Sequence, residues 1–470
     1  MINIVKKLIN SYLPTRILSA LIGFFSIILY SNLFSPEEYG EFSLAIGIIN
    51  LMLIVLNSWI SQATLRLHYE MKEYNNYFTT LWNIMANINL IVLIISIPII
   101  YNLRSDFNIL MILGIILFCV QSIDTTLQSI LRVEDKVIAY NINSIILSVS
   151  KTIIVYLLAT ILRLGVESII LSLIIAYLFS VIISFKAIYK KKKLKYCRTI
   201  DRKILNKMMS YGIPLAICSI ISWIISLSDR YMIAWLSNND SVGIYSMGYS
   251  IANTTIGLII TIFMLGDYPK IVQVWEEKGK KHTEKEISKM LHRYLAIVIP
   301  AVIGIFWLAE DIMKILGNKE YIATYKILPW VSMGILVMGI NNYYNKYWEL
   351  QKKSINLVIC NFTAAIINVI LNMLLIPRYG YIVAAITTLI TYIIYLIIII
   401  LKTHKEFKIP INNIKIFEIM ISSLLMCMCL YLIDRLQMNY IYTVIISILI
   451  GSIVYFSSLI GIKYAKGVFN

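Results

Sequence analysis

The stretch GYIVAAITTLITYIIYLIIIILK, residues 380–402, contains no acidic residue and a single basic residue, Lys402, at its end. About 20 apolar residues span a bilayer as an α-helix, and a helix satisfies its own backbone hydrogen bonds inside lipid. Similar apolar stretches recur along the chain. The predicted spans are 12–33, 41–65, 78–101, 107–131, 138–161, 165–189, 209–236, 243–267, 290–309, 327–349, 355–376, 380–402, 414–433 and 440–462. The sequence therefore predicts an all-α polytopic membrane protein with about fourteen transmembrane helices.

Lysine and arginine are distributed unequally between the alternating breaks. With the N-terminus placed in the cytoplasm, the inside breaks carry 33 of the 42 basic residues and the outside breaks carry 7. Cytoplasmic loops of membrane proteins carry such an excess of positive charge. The pattern predicts that both termini are cytoplasmic.

Composition excludes a soluble protein. Of the 470 residues, 59% are hydrophobic, whereas soluble domains have about 45–50% apolar residues. The net charge of +17 does not indicate nucleic-acid binding, because the basic residues fall in loops that meet anionic lipid headgroups. The six cysteines lack metal-ligand spacing, so we expect free thiols and no metal.

An internal repeat indicates how the helices are grouped. Tyr12-Leu13-Pro14 and Tyr211-Gly212-Ile213-Pro214 open helices 1 and 7, while Tyr39–Ser43 and Val242–Ser246 open helices 2 and 8 at nearly the same offset. Both halves begin inside, which predicts a parallel repeat of the kind found in transporters. The predicted units are a six-helix lobe at 1–200, a second at 201–410, and two additional helices at 411–470.

The breaks between the predicted helices leave no room for an external domain. The long inside loops are predicted at 190–208 and 268–289, and the longest outside segment, about 310–326, is short and polar. The sequence has no GxxxxGK[ST], HExxH or GxSxG motif. These observations predict that the chain is not an enzyme and has no cofactor beyond a coupling ion.

Polar residues form stripes at helical spacing on apolar helices. Such stripes face a bundle interior or water, because facing lipid leaves their hydrogen bonds unmade. They comprise Gln121, Asp124, Thr125, Gln128 and Arg132; Asn141, Ser144, Ser148 and Lys151; Ser219, Ser222, Ser226, Asp229 and Arg230; Asn342, Asn345 and Glu349; and Asn361, Asn368 and Asn372. They indicate either a hydrated cavity or hydrogen bonds between helices.

Lys151 is the deepest predicted cation, about 20 Å from the cytoplasmic end at 1.5 Å per residue. It is interpreted either as a ligand for an anion or as the partner of Asp124 in a buried ion pair. A second cluster lies at the predicted cytoplasmic mouth and comprises Arg16, Arg66, Glu70, Lys346 and Glu349. Snorkelling to headgroups and phosphate binding both explain this cluster.

Three segments resemble polysaccharide-export flippases of the multidrug/oligosaccharidyl-lipid/polysaccharide superfamily. They are Leu33–Gly40 (LFSPEEYG); Asp229-Arg230 followed by Val242–Ser246 (VGIYS); and Asn368–Gly380 (NVILNMLLIPRYG), with Ala384-Ala385 and Thr387-Thr388. Together they cover residues from about 12 to 402 in consistent order. The sequence departs from the family at Val383 and at Asn57-Ser58, where glycine is usual.

The resemblance implies a MATE-like fold of two six-helix bundles around a central, often cationic cavity. It implies alternating access that moves undecaprenyl-diphosphate-linked oligosaccharide from the cytoplasmic to the outer leaflet of a bacterial cell membrane, for O-antigen, capsule or exopolysaccharide. Expected partners are the lipid-linked oligosaccharide, membrane lipids, and polysaccharide polymerase and chain-length proteins.

Two groups of site residues follow. The predicted diphosphate-binding set is Arg16, Arg66, Lys151, Arg230 and Lys346. The carboxylates that could bind a coupling H⁺ or Na⁺, or form ion pairs, are Asp124, Asp229 and Glu349. Two other functions stay open at this point, a drug or cation antiporter of the same superfamily and a membrane-embedded polysaccharide polymerase or ligase.

Overall fold

The computed structural model describes residues 2–71, 76–102, 108–189, 200–316, 318–351 and 353–469, and these parts are nearly all helical. They contain the helices α1 (Ile2–Leu33), α2 (Pro36–Leu56), α3 (Ser58–Met71), α4 (Tyr77–Asn102), α5 (Asn108–Val133), α6 (Val137–Thr160), α7 (Glu167–Tyr189), α8 (Arg202–Leu236), α9 (Asn239–Ala252), α10 (Leu258–Lys278), α11 (Lys280–Ile315), α12 (Leu328–Leu350), α13 (Ser354–Tyr379), α14 (Ile382–Thr403), α15 (Asn413–Asp434) and α16 (Tyr440–Phe469). A π-helical turn, Asn253–Gly257, joins α9 to α10, and a 3₁₀ turn, Lys319–Lys326, precedes α12.

The number of membrane-spanning segments agrees with the prediction. Within the described ranges, thirteen helical segments are long and apolar enough to cross a bilayer. The 3₁₀ turn and α12, bent by 49° relative to each other, supply a fourteenth if they count as one span. The all-α polytopic fold is thus confirmed.

Packing divides the chain into two compact units. One comprises Asn10–Tyr231, and the other comprises Met232–Asn470 together with Met1–Ile9. In the first unit, a buried cluster of Ile60, Leu81, Leu127 and Met208 joins α3, α4, α5 and α8. In the second, the Tyr294 and Tyr343 rings pack at a tilt of 53°, with centroids 5.8 Å apart, between α11 and α12. The predicted lobe boundaries at 200 and 410 stay a prediction.

The predicted second span, 41–65, is interrupted. It is divided between α2 and α3 at Asn57, whose backbone leaves the helical region at φ −120° and ψ −24°. At its start, Ser35 and Glu38 form a reciprocal capping box, which satisfies two of the free N–H groups of the first turn.

The predicted inside loop 268–289 is wrong, because most of it is helical. Helix α10 continues to Lys278 and α11 begins at Lys280, so only Gly279 separates them. Gly279 has φ +72°, a conformation that side chains disfavour and glycine adopts readily. Charged residues continue the helices past their apolar parts here, supported by side-chain contacts such as Gln273 Nε2 to Glu277 Oε1 at 2.7 Å.

The other predicted inside loop, 190–208, is shorter than expected. Helix α8 already begins at Arg202, while 190–199 lies outside the described residues.

Candidate functional site

A cavity of about 630 Å³ lies within the unit Asn10–Tyr231, bordered by α2, α3, α5 and α8. Its polar wall consists of Asn50, Asn57, Ser58, Ser61, Gln62, Thr125, Ser219, Ser222 and Ser226. Leu53, Ile54, Trp223 and Leu227 supply apolar surface. A wall of hydroxyl and amide groups mixed with an aromatic ring can form hydrogen bonds to a polyhydroxylated ligand and pack against its apolar parts.

The serines of α8 present acceptors to this cavity. Each hydroxyl donates to the carbonyl oxygen one turn earlier on the same helix: Ser219 to Leu215 O at 3.1 Å, Ser222 to Cys218 O at 3.0 Å, and Ser226 to Ser222 O at 3.0 Å. A hydroxyl that donates in this way keeps its lone pairs. The three serines of the polar stripe predicted on this helix, now α8, therefore line a cavity, where they can accept hydrogen bonds.

The break at Asn57 shapes the opposite wall. Its side-chain amide donates to Ser122 O at 3.2 Å and to Thr125 Oγ1 at 2.6 Å, which ties the α2–α3 junction to α5. Because the junction is held there, Ser58, Ser61 and Gln62 at the start of α3 line the cavity with Asn50 of α2.

Two arginines lie one helical turn beyond the two ends of this cavity. Arg66 follows the lining residue Gln62 by four positions on α3, and Arg230 follows Ser226 by four positions on α8, so each shares a helix face with a lining residue. The helices α2–α3 and α8 are antiparallel here, since Lys207 Nζ lies 2.6 Å from Glu70 Oε2 at one end and Arg230 donates to Ser43 Oγ at 3.2 Å at the other. Arg66 is exposed, and Arg230 is half-buried.

Arg16 and Lys151 lie along α1 and α6 of the same unit. Arg16 is exposed and donates to the Tyr140 hydroxyl at 3.1 Å. Lys151 lies eleven residues beyond Tyr140, or about 16 Å along α6. It is half-buried, and within the described ranges no hydrogen bond or ion pair holds its ammonium group. Neither residue lines the cavity.

Asp124 does not pair with Lys151. This buried carboxylate of α5 accepts a short hydrogen bond from Ser180 of α7, and a longer one, at 3.5 Å, from Gln128. Among the residues that the structure describes, its hydrogen-bond partners are these two neutral groups, and no ion pair is formed. The Lys151–Asp124 ion pair, one of the two interpretations of Lys151, is therefore absent from the described residues, which leaves a buried acid with uncharged partners.

The remaining candidates have close partners. Asp229 is buried, and its Oδ1 accepts the backbone N–H of Arg230 at 2.9 Å. In the other unit, Lys346 forms an ion pair of 2.7 Å with Glu349 on the same helix and lies 4.6 Å from the ring centre of Tyr268. The ion pair neutralises both members. The roles of all eight predicted residues stay predictions.

The sequence reasoning did not assign Asn50, Ser61 or Gln62 to a site, although all three line the cavity. Asn50, Asn57 and Ser61 are spaced by seven and four residues, and Gln62 follows directly, which is the spacing of a polar helix face. The break at Asn57 interrupts the helical register there.

The profile of the family described as "Polysaccharide biosynthesis protein" matches residues 6–275, which is more than half of the chain. The chain belongs to this family. The MatE profile also matches residues 214–374.

Relatives of this chain include the capsular polysaccharide biosynthesis protein CapF of Staphylococcus aureus, 25% identical over 405 residues that cover 83% of this chain and 97% of CapF. The lipid II flippase MurJ of Thermosipho africanus is 27% identical over 188 residues, 38% of each chain. Apart from CapF, the chain spans about half or less of the length of the curated relatives that it matches.

A solved structure of lipid II flippase MurJ in an inward closed conformation shares the fold. Its TM-score is 0.79 at 19% sequence identity, and the match covers 97% of this chain and 99% of that one. The MATE-like fold and the membership of the superfamily are confirmed. The prediction that the chain is not an enzyme is confirmed as well, since the curated relatives whose names state an activity are flippases.

Proposed function

We propose that this chain flips a lipid-linked oligosaccharide across the membrane. The observation that carries the proposal is the cavity of the first unit, whose hydroxyl and amide wall has Arg66 one turn beyond one end and Arg230 one turn beyond the other. A sugar needs hydrogen-bonding groups, and a diphosphate needs cations, of which arginine forms the stronger paired contacts. The family and the names of CapF and MurJ support a glycan attached to a lipid.

The proposed substrate is an undecaprenyl-diphosphate-linked repeat unit, carried from the cytoplasmic to the outer leaflet of the bacterial cell membrane by alternating access. The uneven distribution of lysine and arginine supports an orientation with both termini cytoplasmic. In this orientation Arg66 lies toward the cytoplasm and Arg230 toward the outside. We place the protein in assembly of capsule, O-antigen or exopolysaccharide, with polymerase and chain-length proteins acting on what it delivers.

The chemistry divides among the residues as follows. Arg66, exposed at the cytoplasmic side, receives the diphosphate, while serine lone pairs on α8 accept hydrogen bonds from sugar hydroxyls. Lys151 on α6 and Arg16 on α1, with its Tyr140 partner, do not line the cavity but add positive charge to the same unit. Lys346 is the weakest candidate, because its ion pair with Glu349 must break before it can hold a phosphate.

Complementation of a flippase deletion strain tests the proposal. We expect Arg66→Ala and Arg230→Ala to lower surface polysaccharide at least tenfold at equal membrane abundance, from the loss of charge-assisted hydrogen bonds of about 1.5–3 kcal/mol each. Arg66→Lys should restore only part of the activity, because lysine lacks the bidentate geometry. Arg202→Ala, an exposed arginine at the start of α8, is the matched control. Wild-type polysaccharide from both alanine variants would overturn the cationic mechanism.

We further propose that Asp124 carries the coupling proton. Of the candidate carboxylates, Glu349 is held in an ion pair with Lys346, whereas Asp124 accepts hydrogen bonds from the neutral side chains of Ser180 and Gln128. A carboxyl with neutral partners can gain and lose a proton without breaking an ion pair. In proteoliposomes, Asp124→Asn should remove the dependence of transport on a pH gradient, and Glu349→Gln should retain it. Loss of that dependence in Glu349→Gln alone would contradict this assignment, as would a requirement for Na⁺ with no effect of pH.

The match to the MatE profile favours a second candidate, an antiporter of drugs or other organic cations. The arginines that flank the cavity oppose it, because they repel cations. Export of organic cations by purified protein in liposomes, with no effect of Arg66→Ala, would reverse this ranking.

A further inference from the structure

A second cavity, of about 520 Å³, lies in the other unit, where α10, α11, α15 and α16 meet. Four cations line it, namely Lys270, Lys289, Arg293 and Lys415, together with two carboxylates, Glu286 and Glu418. The pocket lies at the end of the helices where Gly279 joins α10 to α11 and where the 404–412 connection leads into α15. None of the residues that line the first cavity belongs to it.

The cations of this pocket exceed the carboxylates that neutralise them. Lys270 and Lys289 share a single partner, Glu286, which Lys270 contacts closely and Lys289 contacts at 3.5 Å. Arg293 meets Asp267 through one nitrogen at 3.3 Å, although that carboxylate also accepts the Tyr343 hydroxyl at 2.7 Å. Arg293 therefore keeps guanidinium N–H groups for another anion.

Lys415 adds a further charge. Among the described residues no carboxylate pairs with it, and its side chain is exposed. The pocket thus has a net positive charge and groups that can still donate hydrogen bonds.

The walls of the pocket are fixed in place. The 404–412 connection is attached to three successive turns of α11. Glu284 accepts the backbone N–H of Lys408 at 3.0 Å, and Ser288 donates to Pro410 O. His292 Nε2 accepts the backbone N–H of Asn412 at 3.1 Å. Asn412 then caps α15 by accepting the N–H of Lys415 at 3.3 Å. The backbone of Lys415 is therefore held beside the pocket before any ligand arrives.

The pocket changes from charged to apolar along the helices. Ala296 of α11, Ile419 of α15 and Leu459 of α16 line its far side. Their sequence neighbours Ile297, Met420 and Ile460 are 40%, 52% and 66% exposed. Ala296 lies seven residues from Lys289, or about 10 Å along α11. Such an apolar surface contributes nothing to the binding of a free anion, whereas the acyl chains of a lipid pack against it.

We propose that this pocket binds the phosphate headgroup of an anionic membrane phospholipid, with its acyl chains along the exposed apolar surface of α11, α15 and α16. Basic pockets between transmembrane helices bind headgroups in this way. The site is separate from the proposed transport cavity in residues and in unit, so it does not depend on which substrate is transported. An inorganic phosphate or a prenyl diphosphate offers the same anion, and the experiment separates these sources.

The test measures lipid affinity of the purified full-length chain in a neutral detergent. The probes are phosphatidylglycerol, phosphatidylcholine, inorganic pyrophosphate and farnesyl diphosphate. We expect phosphatidylglycerol to bind at least tenfold more tightly than each of the others. The double variant Lys289→Gln with Lys415→Gln should weaken that binding roughly thirty-fold, from the contribution of each cation near an anionic lipid.

The matched control is the double variant Lys203→Gln with Lys281→Gln. It removes two exposed lysines near the N-terminal ends of α8 and α11, and neither lysine lines the pocket. It should leave the affinity within about threefold, inside the usual effect of surface charge. Thermal unfolding midpoints without lipid verify that both variants fold. Equal loss in the two double variants would overturn the proposal, as would pyrophosphate, phosphatidylcholine or farnesyl diphosphate binding as tightly as phosphatidylglycerol.

Discussion

Thr387 of α14 donates its hydroxyl proton to Asn372 of α13, and Asn372 in turn donates to Asn368 Oδ1 at 3.2 Å. Asn368 then donates to Thr391 Oγ1 at 3.3 Å, so two buried amides and two hydroxyls connect α13 to α14. Asn368, Asn372 and Thr387 lie in the segments that resemble the family. The stripe that predicted either a cavity or contacts between helices makes contacts between helices at these two asparagines.

We expect Thr387→Val to destabilise the protein by about 0.6 kcal/mol and by no more than about 1.7 kcal/mol, the average and the largest value measured for hydrogen bonds between helices in membranes. Thr363→Val is the matched control, because Thr363 is exposed and donates to Ile359 O of its own helix at 2.9 Å. Thermal unfolding of the purified variants measures the difference. An equal effect of both substitutions would show that the buried hydrogen bonds between α13 and α14 contribute no more to stability than a local hydroxyl contact.

At the residue scale, spacing predicted which side chains turn inward but not which of them meet. Helical periodicity placed Ser219, Ser222 and Ser226 on one face, and all three line the cavity. The same reasoning allowed Asp124 to pair with Lys151, but Asp124 meets Ser180 of α7 instead. The rotation of a helix against its neighbours decides such contacts, and one sequence contains no direct measure of it.

At the scale of elements, α8 and α3 approach each other at Gly212. A Cβ atom added there would lie 2.8 Å from the carbonyl carbon of Trp59 and still closer to its oxygen. Because these are backbone atoms, a helix would have to shift. This contact gives a physical reason for the glycine in the Tyr211–Pro214 repeat.

We expect Gly212→Ala to lower stability by about 1–3 kcal/mol, the usual cost of overpacking. In Gly304→Ala, the control on α11, the new Cβ meets no atom within 4 Å, so the higher helix propensity of alanine should leave stability unchanged or raise it by up to about 1 kcal/mol. Membrane abundance and unfolding temperature of both variants measure this. A Gly212→Ala protein as stable as wild type would show that α3 and α8 accommodate a methyl group.

An exposed ion pair at the end of the same helices makes stability depend on pH. The hydrogen bond and charge of Lys207 lower the pKa of Glu70, with a smaller contribution from Arg66. Because the folded carboxyl has the lower pKa, its contribution is present above the ordinary value of 4.5 and is lost as the pH falls through the lowered value. The difference in unfolding temperature between wild type and Glu70→Gln should therefore be measurable at about pH 6 and shrink steadily as the pH falls below 4.5. A difference that persists at acidic pH would exclude the ion pair as its cause.

Element boundaries were predicted less well than element number, for a physical reason. An apolar run of sufficient length is enough to predict a transmembrane span, so thirteen or fourteen spans within the described ranges agree with the expected fourteen. Hydropathy does not report where a helix ends outside the lipid. The charged segment 268–289 is predicted as a loop, yet lysine, glutamate and glutamine are good helix formers, and only Gly279 interrupts the helices.

At the scale of the whole molecule, the distribution of charge predicts orientation. The short connection after α8, at Ser237 and Asn238, should face outward, and both termini should face the cytoplasm, since the basic residues concentrate in the breaks on the terminal side. A fluorescent protein fused after residue 470 should fluoresce, because it folds in the cytoplasm, and alkaline phosphatase fused there should be inactive. Phosphatase fused after Ser237 should be active. An active phosphatase at the C-terminus would show that the topology is the inverse of the predicted one, with Arg66 rather than Arg230 on the outer side. The proposed direction of diphosphate transfer would then be wrong.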